Sequence, residues 1–256
     1  EQRQRLEALR EKLAAINEPE ARSLEQLAEY LLSKSVWIIG GDGWAFDIGY
    51  GGLDHVLAQD RDINVLVVDT EVYSNTGGQA SKATPIGASA KFAISGKAIA
   101  KKDLGLMAMN YGHVYVAGVA FGAKPDQTVK AFVEAASYSG PSLIICYSHC
   151  IAHGYDLKFG PAQQKRAVDS GVWPLYRYDP RRVAAGEPGL IVDASGDKIP
   201  VSEYTKNETR FRMVEKIDPQ GFQLYSRKAQ SGARKRMAMY RYLANLLLPT
   251  DESTEN

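Results

Sequence analysis

Two short stretches of this sequence concentrate oxygen donors. Gly40-Gly41-Asp42-Gly43 sets one carboxylate in a glycine turn, and Asp69, Thr70, Ser74, Asn75 and Thr76 follow one another closely after an apolar run. Mg²⁺ takes hard oxygen ligands in octahedral geometry, usually one or two from protein carboxylates or hydroxyls, with phosphate oxygens and water completing the shell. Asp42 would supply charge to such an ion and Thr70 a neutral oxygen. Glycines at 41 and 43 would let the backbone approach a diphosphate, and the start of the following helix would offer it unpaired N–H groups.

For these residues to act together, their carriers must meet. Val36 to Ile39 is a short apolar run that breaks into the glycine turn, as a buried strand does, and Ile63 to Val68 is a second. In an open parallel sheet both loops leave from the carboxyl ends of neighbouring strands, and ligands bind in that crevice. Between them Ala45 to Ala58 reads as a helix. Its Gly49, Gly51 and Gly52, each costing roughly 1 kcal/mol against Ala in a helix, imply close packing or close cofactor approach.

The pair of motifs is specific. GGDGWAFDIGYGGLDHVL with DTEVYSNTGGQASKATP resembles the thiamine-diphosphate signature as it is written in the pyruvate:ferredoxin (flavodoxin) oxidoreductase family. Where that signature usually ends in paired asparagines, the segment here is Asp69-Thr70, as in this subgroup. The resemblance implies that Asp42, the Thr70 hydroxyl and the Val72 carbonyl bind Mg²⁺. It places Gly41, Asp42, Gly43, Ser74 and Asn75 against thiamine diphosphate, with Asn75 also at the reacting centre. It further implies that Cys150 is the last thiolate of a [4Fe–4S] cluster. Such a cluster needs four, and this chain has two cysteines, so the others must lie elsewhere.

Composition narrows the alternatives. A chain of 256 residues with 45% hydrophobic content can bury a large core. Its net charge of +1 gives no global argument for nucleic acid. No apolar run approaches the ~20 residues that span a bilayer, and two cysteines in this length suit a reducing, cytoplasmic setting. A dinucleotide fingerprint needs glycine where Phe46 stands, and no G-x-x-x-x-G-K-[ST] occurs. His149, Cys150 and His153 lack the fourth ligand and the paired cysteines of structural zinc. Cys146, inside an apolar run, reads as a small buried hydrophobe.

Along the rest of the chain, Leu6, Leu9, Leu13 and Ile16 and then Leu24, Leu27 and Leu31 recur at helical spacing on either side of Asn17-Glu18-Pro19. That predicts a helical hairpin over 1–33, lying on the domain that follows. The diphosphate and magnesium domain is expected over 34–182. A largely helical extension then runs over 183–248, and 249–256 forms a frayed tail. Residues 70–102 show no periodicity and read as a cofactor-covering loop, in which Lys82, Lys91, Lys97, Lys101 and Lys102 could simply be solvated. Tyr73 either packs at the thiazolium side or anchors that loop. Asp103 should cap a helix ending at Gly112, Val114 to Val119 a strand, Asp126 to Tyr138 a helix, Ser142 to Tyr147 a strand and Gln163 to Ser170 a helix. Alternation of this kind predicts an α/β fold, an open, mostly parallel sheet with helices on both faces, of thiamine-diphosphate-binding type. Trp173, Tyr176 and Tyr178 would cover the domain edge, and 186–201 would form an excursion with a short hairpin. Arg234-Lys235-Arg236 reads as a solvated helix face; a sharper reading docks an acidic electron carrier there.

What the resemblance implies for the whole protein is oxidative decarboxylation of pyruvate with coenzyme A, with electrons leaving through iron–sulfur clusters to ferredoxin or flavodoxin. It also implies a full-length homodimer. In that family the glutamate that activates the aminopyrimidine and the arginine that grips the substrate carboxylate belong to an N-terminal domain. This sequence begins at Glu1 rather than Met, which suggests a piece that is incomplete without those domains. The alternative is a non-catalytic docking or structural domain derived from such an enzyme.

Overall fold

The computed structural model describes residues 2–32 and 34–249, in two compact units, Glu1–Val36 and Trp37–Asn256. Beyond Pro249, the tail lies outside the described residues. In the first unit α1 (Gln2–Ala14) and α2 (Pro19–Leu27) make the hairpin, with Pro19 in the first turn of α2, where a missing N–H costs nothing. Leu6, Leu13, Ala21 and Ala28 are its buried positions, whereas Leu24, Leu27 and Leu31 are exposed.

The second unit is built on six strands: β1 (Trp37–Gly41), β2 (Asn64–Asp69), β3 (Tyr115–Val119), β4 (Ser142–Tyr147), β5 (Tyr176–Tyr178) and β6 (Leu190–Val192). They lie in the order β1-β2-β4-β3-β5-β6. The first four are parallel, and β5 and β6 extend the sheet antiparallel. Tyr176 and Tyr178 therefore belong to the sheet rather than covering its edge, and 186–201 contributes only the second strand of a hairpin begun by β5.

Alternation along the strands divides the core. Val65, Val67, Val116, Leu143, Ile145 and Tyr147 face the larger cluster, and Tyr115, Ala117, Val119, Ile144 and, partly buried, Leu66 and Cys146 face the other. Cys146 is therefore packed in the sheet as expected, and burial pushes its thiol up to about 11. Helix α5 (Pro125–Ala136) covers the smaller face with Ala131 and Ala135. The larger face receives α3 (Tyr50–Leu57), α4 (Leu104–Met109) and α6 (Gly160–Asp169). After α7 (Pro180–Ala184), the extension adds α8 (Val201–Thr205), α9 (Thr209–Ile217) and α10 (Pro219–Leu243), which bring Tyr204, Phe211 and Tyr240 to the same cluster. Asp103 caps α4 as expected, accepting from the Leu106 N–H at 3.1 Å.

One predicted element is divided. The helix expected over Ala45 to Ala58 is a π-helical turn, Gly43–Ile48, followed by α3. At the junction a Cβ on Gly49 would stand 2.0 Å from the Trp44 ring, so only glycine admits that indole. Gly51 and Gly52, expected to serve close packing or close cofactor approach, face open space, so close packing does not require them.

Candidate cofactor and metal site

Asp42 follows β1, Thr70 follows β2 and Cys150 lies three residues past β4, so the candidate residues leave from three strands adjacent in the sheet. Parallel register brings these ends level, with Gly41 opposite Val68 and Asp69 opposite Tyr147. Sheet topology thereby gathers segments 28 and 80 residues apart in the chain.

Asp42 is 2% exposed. Its Oδ1 accepts from the Thr70 hydroxyl at 2.8 Å and from the Thr70 N–H at 3.2 Å, and its Oδ2 from the Ser81 hydroxyl at 3.2 Å. The Thr70 Oγ1 also lies 3.1 Å from the Val72 carbonyl oxygen. Thr70 has one hydroxyl proton, and both neighbours are acceptors, so three oxygens crowd together with one proton to share. An octahedral ion at 2.0–2.1 Å from adjacent ligands holds them about 2.9 Å apart, close to both separations seen. Burial raises the Asp42 carboxyl above its usual range, and the Thr70 hydroxyl only partly opposes it. Among the described residues no cationic side chain lies within ion-pair distance of Asp42, nor is there a cluster of three His, Cys, Asp or Glu suited to a metal. One carboxylate with neutral oxygens is the donor chemistry of Mg²⁺ rather than of zinc.

The other expected contacts are placed variously. Ser74 and Asn75 are exposed at the tip of the loop after β2. Gly41 is open, whereas the space beside Gly43 is filled by Tyr73: a Cβ on Gly43 would come 2.5 Å from that ring, and the Tyr73 hydroxyl donates to the Gly43 carbonyl at 3.3 Å. Tyr73 thus anchors the loop onto the glycine turn. Cys150 is buried, its Sγ 3.1 Å from the Ser74 Oγ, so the β4 end and the β2 loop touch. Of the histidines weighed for zinc, His149 meets Gln164, and His153 is buried with its Nε2 on the Thr70 carbonyl at 2.7 Å.

Sequence reasoning missed the ions beneath this loop. Lys101, one of the lysines that could simply have been solvated, is largely covered, its side chain 13% exposed, and bridges Asp69 at 2.6 Å and Glu71 at 3.1 Å. Glu71 also meets Arg210 at 2.7 Å, and Arg210 meets Glu208 at 2.6 Å. Burial would raise the Glu71 carboxyl, but Lys101 and Arg210 outweigh it and hold it down at about 2. Burial pushes Asp69 up to about 7 against the pull of Lys101. Residues 70–102 hold no helix or regular strand, as expected, yet Ser81 reaches Asp42 and Thr84 donates to the Glu71 carbonyl at 2.6 Å, pinning the loop over the turn. Of the basic run, Arg234 and Lys235 are exposed, while Arg236 turns inward to the Gly171 and Val172 carbonyls.

Residues 26–146 match the family described as thiamine pyrophosphate enzyme, C-terminal TPP binding domain. Pyruvate-flavodoxin oxidoreductase of Rhodospirillum rubrum is 56% identical over 245 residues, 96% of this chain and 20% of that protein. The pyruvate-flavodoxin oxidoreductase of Trichormus variabilis is 59% identical over 248 residues, 95% of this chain and 21% of its own length. Pyruvate:ferredoxin oxidoreductase of Moorella thermoacetica is 51% identical over 221 residues, 86% of this chain and 19% of its own. The chain thus spans about a fifth of the curated relatives it matches. Identity this high across nearly all of its length makes the chain similar to one portion of the pyruvate:ferredoxin (flavodoxin) oxidoreductases, a portion that in this chain includes the match to the thiamine pyrophosphate-binding domain.

Proposed function

We propose that this chain supplies the magnesium and diphosphate half of a thiamine-diphosphate site. In the complete protein that site would oxidatively decarboxylate pyruvate with coenzyme A to acetyl-CoA and CO₂, two electrons passing through iron–sulfur clusters to ferredoxin or flavodoxin. The observation that carries the reading is the knot of Asp42, Thr70 and Val72 oxygens, drawn from adjacent strand ends and sharing one proton. Asp42 Oδ1, the Thr70 hydroxyl and the Val72 carbonyl would hold Mg²⁺. The open backbone at Gly41 and the side chains of Ser74 and Asn75 would face the diphosphate, with Asn75 nearest the reacting atoms, while Gly43 makes room for the Tyr73 ring that anchors the loop. When bound, thiamine diphosphate supplies the carbanion chemistry; these residues bind it, neutralise its charge and fix its orientation.

Cys150 would provide one thiolate of a [4Fe–4S] cluster completed by cysteines outside this chain. Its contact with Ser74 supports this, since it sets the sulfur beside the loop that would face the cofactor. The remaining domains of the enzyme, in a homodimer, would supply the rest of the site. No described helix is long and apolar enough to cross a membrane, and a cytoplasmic location suits this redox chemistry.

Titration calorimetry of Mg²⁺-thiamine diphosphate into the full-length enzyme tests the reading. Asp42→Asn should weaken binding at least 100-fold. No metal-dependent binding to the full-length enzyme would instead leave a docking or structural domain as the function.

A further inference from the structure

We infer that Arg210 and Lys101 are positioning residues: through Glu71 they fix the backbone from Asp69 to Val72 so that the Thr70 hydroxyl and the Val72 carbonyl converge on Asp42. This rests on reading those three oxygens as the cation's ligands. Residues 69 to 72 alternate in direction. The Thr70 hydroxyl meets both Asp42 and the Val72 carbonyl, while Asp69 and Glu71, 0% and 1% exposed, turn into the core.

Glu71 carries the turn in an unfavourable conformation. Its φ is +61°, the left-handed region, which costs a non-glycine residue energy and persists only where the surroundings enforce it. Several bonds do so. The Glu71 N–H donates to Asp69 Oδ1 at 2.9 Å, and its carbonyl accepts from Thr84. Its two carboxylate oxygens are held apart, Oε1 by Lys101 at 3.1 Å and Oε2 by Arg210 at 2.7 Å. Lys101 fixes Asp69 as well, and Arg210 is itself held by Glu208 and by the Tyr204 hydroxyl at 3.0 Å. Gln163, from α6, anchors Glu208 at 2.8 Å. A chain of charge-assisted contacts therefore runs from α6 and α9 through Glu71 to the candidate ligands.

Charge supports the same assignment. Asp42, Asp69, Glu71 and Glu208 are four buried carboxylates, and Lys101 and Arg210 are the two cations among them. Packing alone would not hold the loop, because a cavity of about 360 Å³ borders Glu71, Lys101 and Tyr204 and leaves room to relax. Nothing in the local sequence signals this arrangement, since Arg210 lies 139 residues from Glu71.

Partners that orient metal ligands typically contribute 10–100-fold to metal affinity. The test uses the full-length enzyme, with Mn²⁺ as the probe read by EPR in the presence of thiamine diphosphate, and circular dichroism and thermal unfolding to monitor folding. Glu208→Gln combined with Arg210→Met removes one charge of each sign and leaves Glu71 paired with Lys101. We expect its Mn²⁺ dissociation constant to rise 10–100-fold, with kcat restored at saturating metal. Arg210→Lys, whose single ammonium cannot span Glu71, Glu208 and Tyr204, should weaken binding several-fold. Parent-like Mn²⁺ affinity in either folded variant overturns the positioning role. Asp42→Asn separates the two readings: if it binds Mn²⁺ as the parent does, the ligand assignment itself fails, whereas if it alone loses the metal, only the positioning role does.

Discussion

Arg177 and Arg210 are both buried among carboxylates, and they are partnered differently. Arg177, in β5, makes a two-pronged pair with Asp193 through Nε and Nη2, both at 2.9 Å, and gives Nη1 to Glu134 at 2.6 Å. The second Glu134 oxygen accepts from Tyr115 at 2.8 Å. Every guanidinium nitrogen is used, and no residue of the knot has left-handed backbone. Arg210 has no partner for Nη1, and the neighbouring Gln163 Oε1 and His153 Nδ1 also lack one. Glu71 beside it sits at φ +61°. Around Arg177, among the described residues, only Gln127 Oε1 goes unpaired. Buried polar atoms in native folds are nearly all satisfied, and leftover ones with backbone strain gather where a protein binds something. One knot ties β5, α5 and the segment after β6 into the fold; the other, on the function proposed above, holds a loop for an occupant.

That contrast breaks most visibly at Arg177. Arg177→Met leaves the partly buried Asp193 without its cation and Glu134 with only Lys130 at 3.9 Å, and breaking such a pair costs up to about 3–5 kcal/mol. We expect the urea midpoint to fall accordingly, while the Mg²⁺ affinity of the protein that remains folded stays within two-fold of the parent. A matching loss of metal affinity would show that the two knots are one system. The Arg210 variants should behave in the opposite way, losing affinity before stability.

The same contrast explains what the sequence could reveal. Sheet and helices were legible because Val65, Val67 and their neighbours alternate in and out, and because glycine and proline punctuate the elements. Asp42 and Thr70 were legible because each sits at the end of such a strand, where topology leaves little choice of direction. β5 and β6 were not, for three-residue antiparallel strands carry too few positions for a period to show. Nor was the division at Gly49, which depends on where one indole packs. Lys101 and Arg210 escaped for a deeper reason: a buried lysine and a surface lysine are the same letter, and only tertiary burial beside Asp69 and Glu71 distinguishes them.

A smaller effect sharpens the comparison from the site itself. Asp42 is a buried carboxylate with no adjacent cation, so the metal-free protein bears the cost of its charge. Asp42→Asn keeps an oxygen for the Thr70 hydroxyl and removes the charge. Metal-free Asp42→Asn should therefore be more stable than the metal-free parent by about 1–2 kcal/mol, although it no longer retains Mg²⁺. The parent should overtake it once Mg²⁺ and thiamine diphosphate are added. Calorimetric unfolding in each state measures both, and a destabilised metal-free variant would place Asp42 with Arg177 as a part of the fold.

The smallest effect belongs to Lys97, in the loop that closes over the site. Its ammonium donates to the Thr84 carbonyl at 2.6 Å. Burial, and then repulsion from Lys101, bring it down from 10.5 to about 8. A folded value below the unfolded one means that the fold favours neutral lysine. The contribution to stability is therefore full above about 10.5 and is lost as pH falls through 8. Between pH 8 and 10.5 the parent should gain stability relative to Lys97→Met, by no more than about 1 kcal/mol, because solvent screens a half-buried ammonium. Denaturant midpoints across that range give the two slopes. Parallel slopes would mean that Lys97 is solvated in solution, and the loop would then be free of the Lys101 field that the ions around Glu71 impose on it.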